Sequence, residues 1–335
     1  MDIRVDLRVE LMAIVYHLAN NPEYEAFDTP YRRAVEHWFE PFRSHAVVTA
    51  ARDLRTTHSI SYNAPMSLAV FLDPETLLPI VALGQANELD ERWAGVPIGD
   101  FLEHLRDFAV ATRASQFFAA QTGYMRAVVE RLTAGVLETK IEEWYGQFFS
   151  SGAESEFVVV PGLLTGHWNY EASSHDASAR RTAYQIVELE RVDPNGLPTP
   201  GYATNELVAH EMGHAFINPI VVRANVELTT AAQPLFDRER EAMQRNRYAT
   251  ATQFVEEMLV RAVTALFTRD RFGKEVASQL VRVDLEQGFG WNVQLAIWLD
   301  AQPRPIDLTG LAAKVAQWLR EEAPKIPPAT PAKPT

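Results

Sequence analysis

Apolar residues recur at helical spacing over most of this chain, and no other feature restricts its fold more. Leu7, Leu11, Ile14, Val15 and Leu18 set residues 6–19 on one amphipathic helix. Pro30 to Phe42 reads as a second helix, with Pro30 near its start and Pro41 near its end. Residues 45–55 and 65–72 read as short helices, and 98–150 as two or three long ones broken near Thr122–Gly123. Phe101, Leu105, Phe108, Phe117, Phe118, Trp144 and Phe148 give that stretch an aromatic core. From residue 203 onward the helical pattern returns over 203–217, 231–246, 250–268, 272–286, 291–301 and 309–322.

Between these blocks the period changes. Residues 156–160 and 184–190 are β-type runs, the second alternating apolar and polar. A polar loop over 166–175 separates them, and a second loop over 193–198 is dense in turn residues. The expected fold class is therefore mostly α with a small β-sheet (α+β). The expected organisation is a helical N-terminal region over 1–150, a region over 151–322 holding the strands and the helices after them, and a disordered Pro-rich tail over 323–335.

Charge and composition narrow the function. Lys and Arg number 31 against 44 Asp and Glu, a net charge of −13, so the chain lacks the basic footprint of a nucleic-acid binder. The same balance disfavours docking on anionic lipid. No run of 18 apolar residues occurs, so no membrane insertion is expected. The opening MDIRVDLRVELMAIVYHLANN lacks the succession of an export signal, which leaves a cytoplasmic chain or one whose signal has been removed. Cysteine is absent, which excludes disulfides, thiolate catalysis and Cys-ligated zinc. Any metal must be held by His, Asp or Glu.

One segment supplies such ligands. Residues 208–216 read Val-Ala-His-Glu-Met-Gly-His-Ala-Phe. On a helix His210 and His214 stand one turn apart on one face, so both imidazoles can reach one zinc at about 2.0–2.1 Å. Glu211 lies on the flank of that face, where it reaches a water rather than the ion: the arrangement of a metalloprotease with its general base. Gly213 is small enough to leave room beside the metal. A catalytic zinc normally takes three protein ligands. The strongest source of the third is the apolar-framed helix 253–262, through Glu257, with Arg261 at i+4 to steady it. Glu256, on the adjacent face, is the alternative, and Glu227, Asp237, Glu239 and Glu241 lack the same framing. His17, His37, His45, His58 and His104 have no partner spacing. Candidates to bind substrate or stabilise an oxyanion are His167, Asn169, Tyr170 and His175 in the polar loop, and Tyr248 and Arg261.

The stretch His210-Glu211-Met212-Gly213-His214-Ala215-Phe216-Ile217-Asn218-Pro219 resembles a bacterial family, classed as a domain of unknown function, whose members are regarded as zinc metallopeptidases and show HEFxHxFxNP at this point. Val5 to Leu11, Leu18 to Tyr24, Ile60 to Ser67 and the Glu257–Ala262 segment are also similar to that family, so the likeness spans roughly residues 3–320. Met212-Gly213 departs from its usual Phe plus small polar residue. The resemblance implies a gluzincin-like site of two His and one Glu, a zincin-like core with an added N-terminal helical region, one Zn2+ per chain, a peptide or protein substrate, and a secreted or periplasmic location. The expected activity is hydrolysis of peptide bonds with Glu211 as general base. The alternative is a catalytically inactive, metal-holding module that binds a peptide or protein.

Overall fold

The structure, a computed structural model, describes residues 1–335 except 25–27, 86–88, 151–155, 190, 247, 249 and 327–335. The chain forms two compact units that interleave along the sequence: residues 1–138 with 155–204, and residues 139–154 with 205–335.

In the first unit α1 (Leu7–Leu18) begins where Asp6 accepts a hydrogen bond from the Arg8 amide. The same carboxylate pairs with the Arg8 side chain at Nε (2.9 Å). Arg8 Nη1 then donates to the Val70 and Leu72 carbonyls at 3.1 and 2.7 Å, tying α1 to the end of α4 (Asn63–Ala69). Around them lie α2 (Pro30–Phe39), α3 (Ala46–His58), α5 (Ile98–Ala111) and α6 (Ala114–Leu137). The sheet runs β1-β2-β4-β3, with β1 (Asp2–Ile3) parallel to β2 (Glu156–Pro161), β2 parallel to β4 (Arg181–Val187), and β3 (Tyr170–His175) antiparallel to β4.

Two of these elements depart from the sequence reading. Half of the expected polar loop over 166–175 is strand β3, whose small polar residues hide its pairing: Ser173 and Ser174 are buried beside β4. The expected helix break near Thr122–Gly123 is absent, because Thr122 sits inside α6 with its hydroxyl on the Phe118 carbonyl (3.3 Å). The chain turns instead at Arg113 (φ 54°) and Lys140 (φ 49°), left-handed positions without a Gly or Pro to announce them.

The second unit holds α7 (Ile141–Phe148), α8 (Tyr202–Arg223), α9 (Asn225–Arg238), α10 (Arg240–Arg245), α11 (Ala251–Phe272), α12 (Lys274–Glu286), α13 (Asn292–Asp300) and α14 (Leu308–Glu321). Helix α11 packs on α9, α12 and α13, and α14 on α9. Helix α8 runs through Pro219 to Arg223, four residues past that proline and beyond the expected end at 217.

Packing explains why the units do not divide near residue 150. Val158, Val160, Tyr170, Tyr184 and Ile186 of the sheet share one core with Val9, Ile14 and Phe71. The strands therefore belong with the N-terminal helices. Conversely, Tyr145 of α7 stacks on Phe216 (5.0 Å) and Trp144 meets Phe267 edge-on (5.5 Å), which assigns α7 to the second unit. The expected disordered tail over 323–335 is ordered in its described part. Ala323–Lys325 form a 3-10 turn, and the Ile326 carbonyl accepts from Arg238 (2.9 Å); residues 327–335 lie outside the described residues.

Candidate metal centre

Helix α8 carries the paired imidazoles. Its other side is fixed by close packing: a Cβ on Gly213 would come within 2.9 Å of the Tyr145 hydroxyl and 3.1 Å of a Val260 methyl. Gly213 thus lets α7 and α11 approach α8: the space a Cβ would fill is taken by Tyr145 and Val260, where the sequence suggested room beside a metal. Tyr145 donates to the Ala209 carbonyl (2.6 Å), which holds α8 at this level.

With that phase, the His210 and His214 rings meet edge-on, centroids 5.0 Å apart and planes at 76°. His214 Nδ1 lies 3.0 Å from Asn218 Oδ1. An amide oxygen only accepts, so Nδ1 carries the proton and Nε2 presents its lone pair. Burial, with the nearby charges of His214 and Arg261 and against that of Glu257, pushes His210 down to about 3. The ring is neutral near pH 7, the form that binds a metal.

Helix α11 brings the carboxylate. Thr250 and Gln253 close a reciprocal capping box at its start, both bonds 3.2 Å, which fixes where its turns fall. Glu257 then projects toward the imidazoles, with Oε1 at 3.3 Å from His214 Nε2 and Oε2 at 3.7 Å from His210 Nε2. Ligands at about 2.0–2.1 Å on a tetrahedron are separated by about 3.3–3.4 Å, so these spacings fit a single small cation. Among the described residues, His210, His214 and Glu257 are the group of ligand atoms that converges, all within 4.8 Å of one another. Glu256 is not part of it. Glu211 is half-buried on the same helix, one residue after His210.

The carboxylate is held from behind. Arg261 Nε donates to Glu257 Oε2 (3.1 Å), Nη1 to Asp284 Oδ1 (2.6 Å) and Nη2 to the Tyr248 hydroxyl (3.3 Å). Asn292 Nδ2 donates to the second oxygen of Asp284 (2.7 Å). Burial would raise the Glu257 carboxyl, but the adjoining His214 and His210 imidazoles and the Arg261 guanidinium outweigh it and hold it well below the usual carboxylate range. Burial, reinforced by Glu257, pushes the Tyr248 phenol up to about 12. One turn before His210, Glu206 is raised to about 7 by burial and by Asp284, against the opposing charge of Arg261.

Of the other residues singled out from sequence, Tyr248 and Arg261 adjoin Glu257. His167, Asn169 and Tyr170 belong to the first unit and have local partners there. His167 lies 3.4 Å from Glu188, Asn169 accepts from the Glu188 amide (2.8 Å), and Tyr170 donates to the Glu23 carbonyl (3.2 Å). His175 sits edge-on to Phe71 (5.7 Å) in the same unit. Glu227, Asp237 and Glu239 face Arg320, Arg240 and Arg238. Sequence reasoning missed Asn218, Asp284 and Asn292. Asn218 was within reach as the i+4 neighbour of His214, whereas nothing in the sequence signals that Asp284 meets Arg261.

Among the described residues no helix is long and apolar enough to cross a membrane. No curated protein and no solved structure matches the chain. Over residues 1–301 it does match the family model described as Domain of unknown function (DUF4932), and the chain belongs to that family.

Proposed function

We propose that the chain is a zinc-dependent peptidase with a zincin-like core, in which His210, His214 and Glu257 hold the metal and Glu211 is the general base. The convergence of one carboxylate on two imidazoles of an HExxH helix carries this reading. The donor set, two nitrogens and one oxygen without thiolate, suits zinc with a coordination position left open. Bound there, zinc supplies Lewis acidity toward a carbonyl and makes a water acidic near neutral pH.

The protein's own groups do the rest. Glu211, one residue past the first ligand, accepts a proton from the attacking water and returns it to the leaving nitrogen. Tyr248 keeps its proton at neutral pH and offers a donor to the developing oxyanion, while Arg261 stays behind Glu257. Asn218 holds the His214 tautomer so that Nε2 stays free for the ion.

The test is cleavage of a broad peptide library by the zinc-loaded protein. Chelator-sensitive cleavage is expected, restored by zinc and lowered about 10²–10⁴-fold in Glu211→Gln. Zinc-loaded wild type no faster than Glu211→Gln would remove the peptidase and leave a metal-holding module that binds peptides.

A further inference from the structure

Resting on the reading of His210, His214 and Glu257 as a metal centre, we propose that Asp284 is a positioning residue for it, acting through Arg261 on Glu257. Asp284 comes from α12 and lies 1% exposed. One oxygen accepts from Arg261 Nη1 at 2.6 Å and the other from Asn292 Nδ2 at 2.7 Å. The Arg261 guanidinium is also stacked over Phe289, its carbon 4.3 Å from the ring centroid. It is therefore held at an edge by Asp284 and on a face by Phe289, and cannot swing.

Two consequences follow for Glu257. First, Arg261 Nε takes Oε2 at 3.1 Å, which leaves Oε1 facing His214 Nε2 at 3.3 Å. The carboxylate is thereby set to offer one oxygen to an ion. Second, an uncompensated guanidinium next to the ligands would repel a dication and draw the charge of Glu257 to itself. Asp284 neutralises Arg261 from the far side, so Glu257 keeps its negative charge for the metal. Partners of this kind behind a ligand tune metal affinity without touching the metal.

A plain structural staple between α11 and α12 would move stability but not the metal. The experiment therefore measures zinc affinity by chelator competition, and the visible bands of the Co2+-loaded protein, in wild type, Asp284→Asn and Asp284→Glu. Asp284→Asn is expected to weaken zinc roughly 10–100-fold and to alter the cobalt bands, in addition to the lower melting temperature of the metal-free protein that breaking a buried ion pair brings. Asp284→Glu is expected to recover part of the affinity. Wild-type affinity and bands in Asp284→Asn would overturn the positioning role and leave the metal centre standing. A wild type that takes up no stoichiometric zinc would remove the centre itself. Should Asp284→Asn fail to fold, Asn292→Ala loosens Asp284 without leaving Arg261 unpaired. It is expected to weaken zinc by a smaller factor, and unchanged affinity there overturns the role equally.

Discussion

Two buried glutamates, one in each unit, end in opposite states. Glu10 of α1 is fully buried in the first unit, where the Leu163 amide donates to Oε1 (3.0 Å), with the Tyr31 hydroxyl and the like charge of Asp6 nearby. Burial dominates, and its pKa is pushed up to about 7. Glu257 of α11 meets the same penalty, but two imidazoles and Arg261 face it, and it stays ionised far below the usual range. Burial alone makes a carboxyl a weak acid; a guanidinium and two imidazoles around it keep it ionised. The first unit spends its buried acid on a loop amide, while the second keeps its acid charged beside two imidazoles.

The largest expected break comes from neutralising each acid in turn. Glu257→Gln is expected to abolish stoichiometric zinc, whereas Glu10→Gln leaves it intact; metal analysis of the purified variants decides. Equal zinc in both would erase the distinction. Next in size is metal removal. With free zinc at 100 times its Kd, chelation is expected to lower stability by about 2.7 kcal/mol, read as a drop in melting temperature. That drop should persist in Glu10→Gln and vanish in Glu257→Gln.

The smallest effect concerns pH. The folded state binds the Glu10 proton more tightly than the unfolded chain, whose ordinary value is 4.5. Stability contributed by this group is therefore present at low pH and is lost as pH rises from about 4.5 through about 7. At about 1.4 kcal/mol per pKa unit, the part of that loss falling between pH 5 and pH 8 is on the order of 2–3 kcal/mol. Glu10→Gln keeps an acceptor for the Leu163 amide, so its stability should fall less between pH 5 and pH 8 in urea titrations. Identical slopes in the two proteins would mean that Glu10 is ionised in the fold.

The comparison also marks what periodicity can reveal. Glu257 was legible because Phe254, Val255, Met258 and Leu259 frame it on a helix whose capping box is written in Thr250 and Gln253. The helices themselves were legible for the same reason, since α1 and α11 repeat apolar residues at their own period. The strand β3 was not, because its pairing uses backbone groups and its buried centre includes the small polar Ser173 and Ser174, which break the apolar alternation. Nor was the division of the chain: β1 reaches β2 across about 155 residues of sequence, a pairing that no local pattern encodes. Asp284 escaped for a like reason, as it meets Arg261 from another helix, 23 positions away. Nothing in the local pattern of α1 signals the burial of Glu10, whose partner is the Leu163 amide 153 positions away.

The central claim is a cation bound by His210, His214 and Glu257. An anomalous-scattering map at the zinc edge, from crystals of the zinc-loaded protein, tests it most directly. One strong peak is expected, about 2.0–2.2 Å from His210 Nε2, His214 Nε2 and a Glu257 carboxylate oxygen. A map without a peak among these three groups, or with zinc bound at other residues, would contradict it.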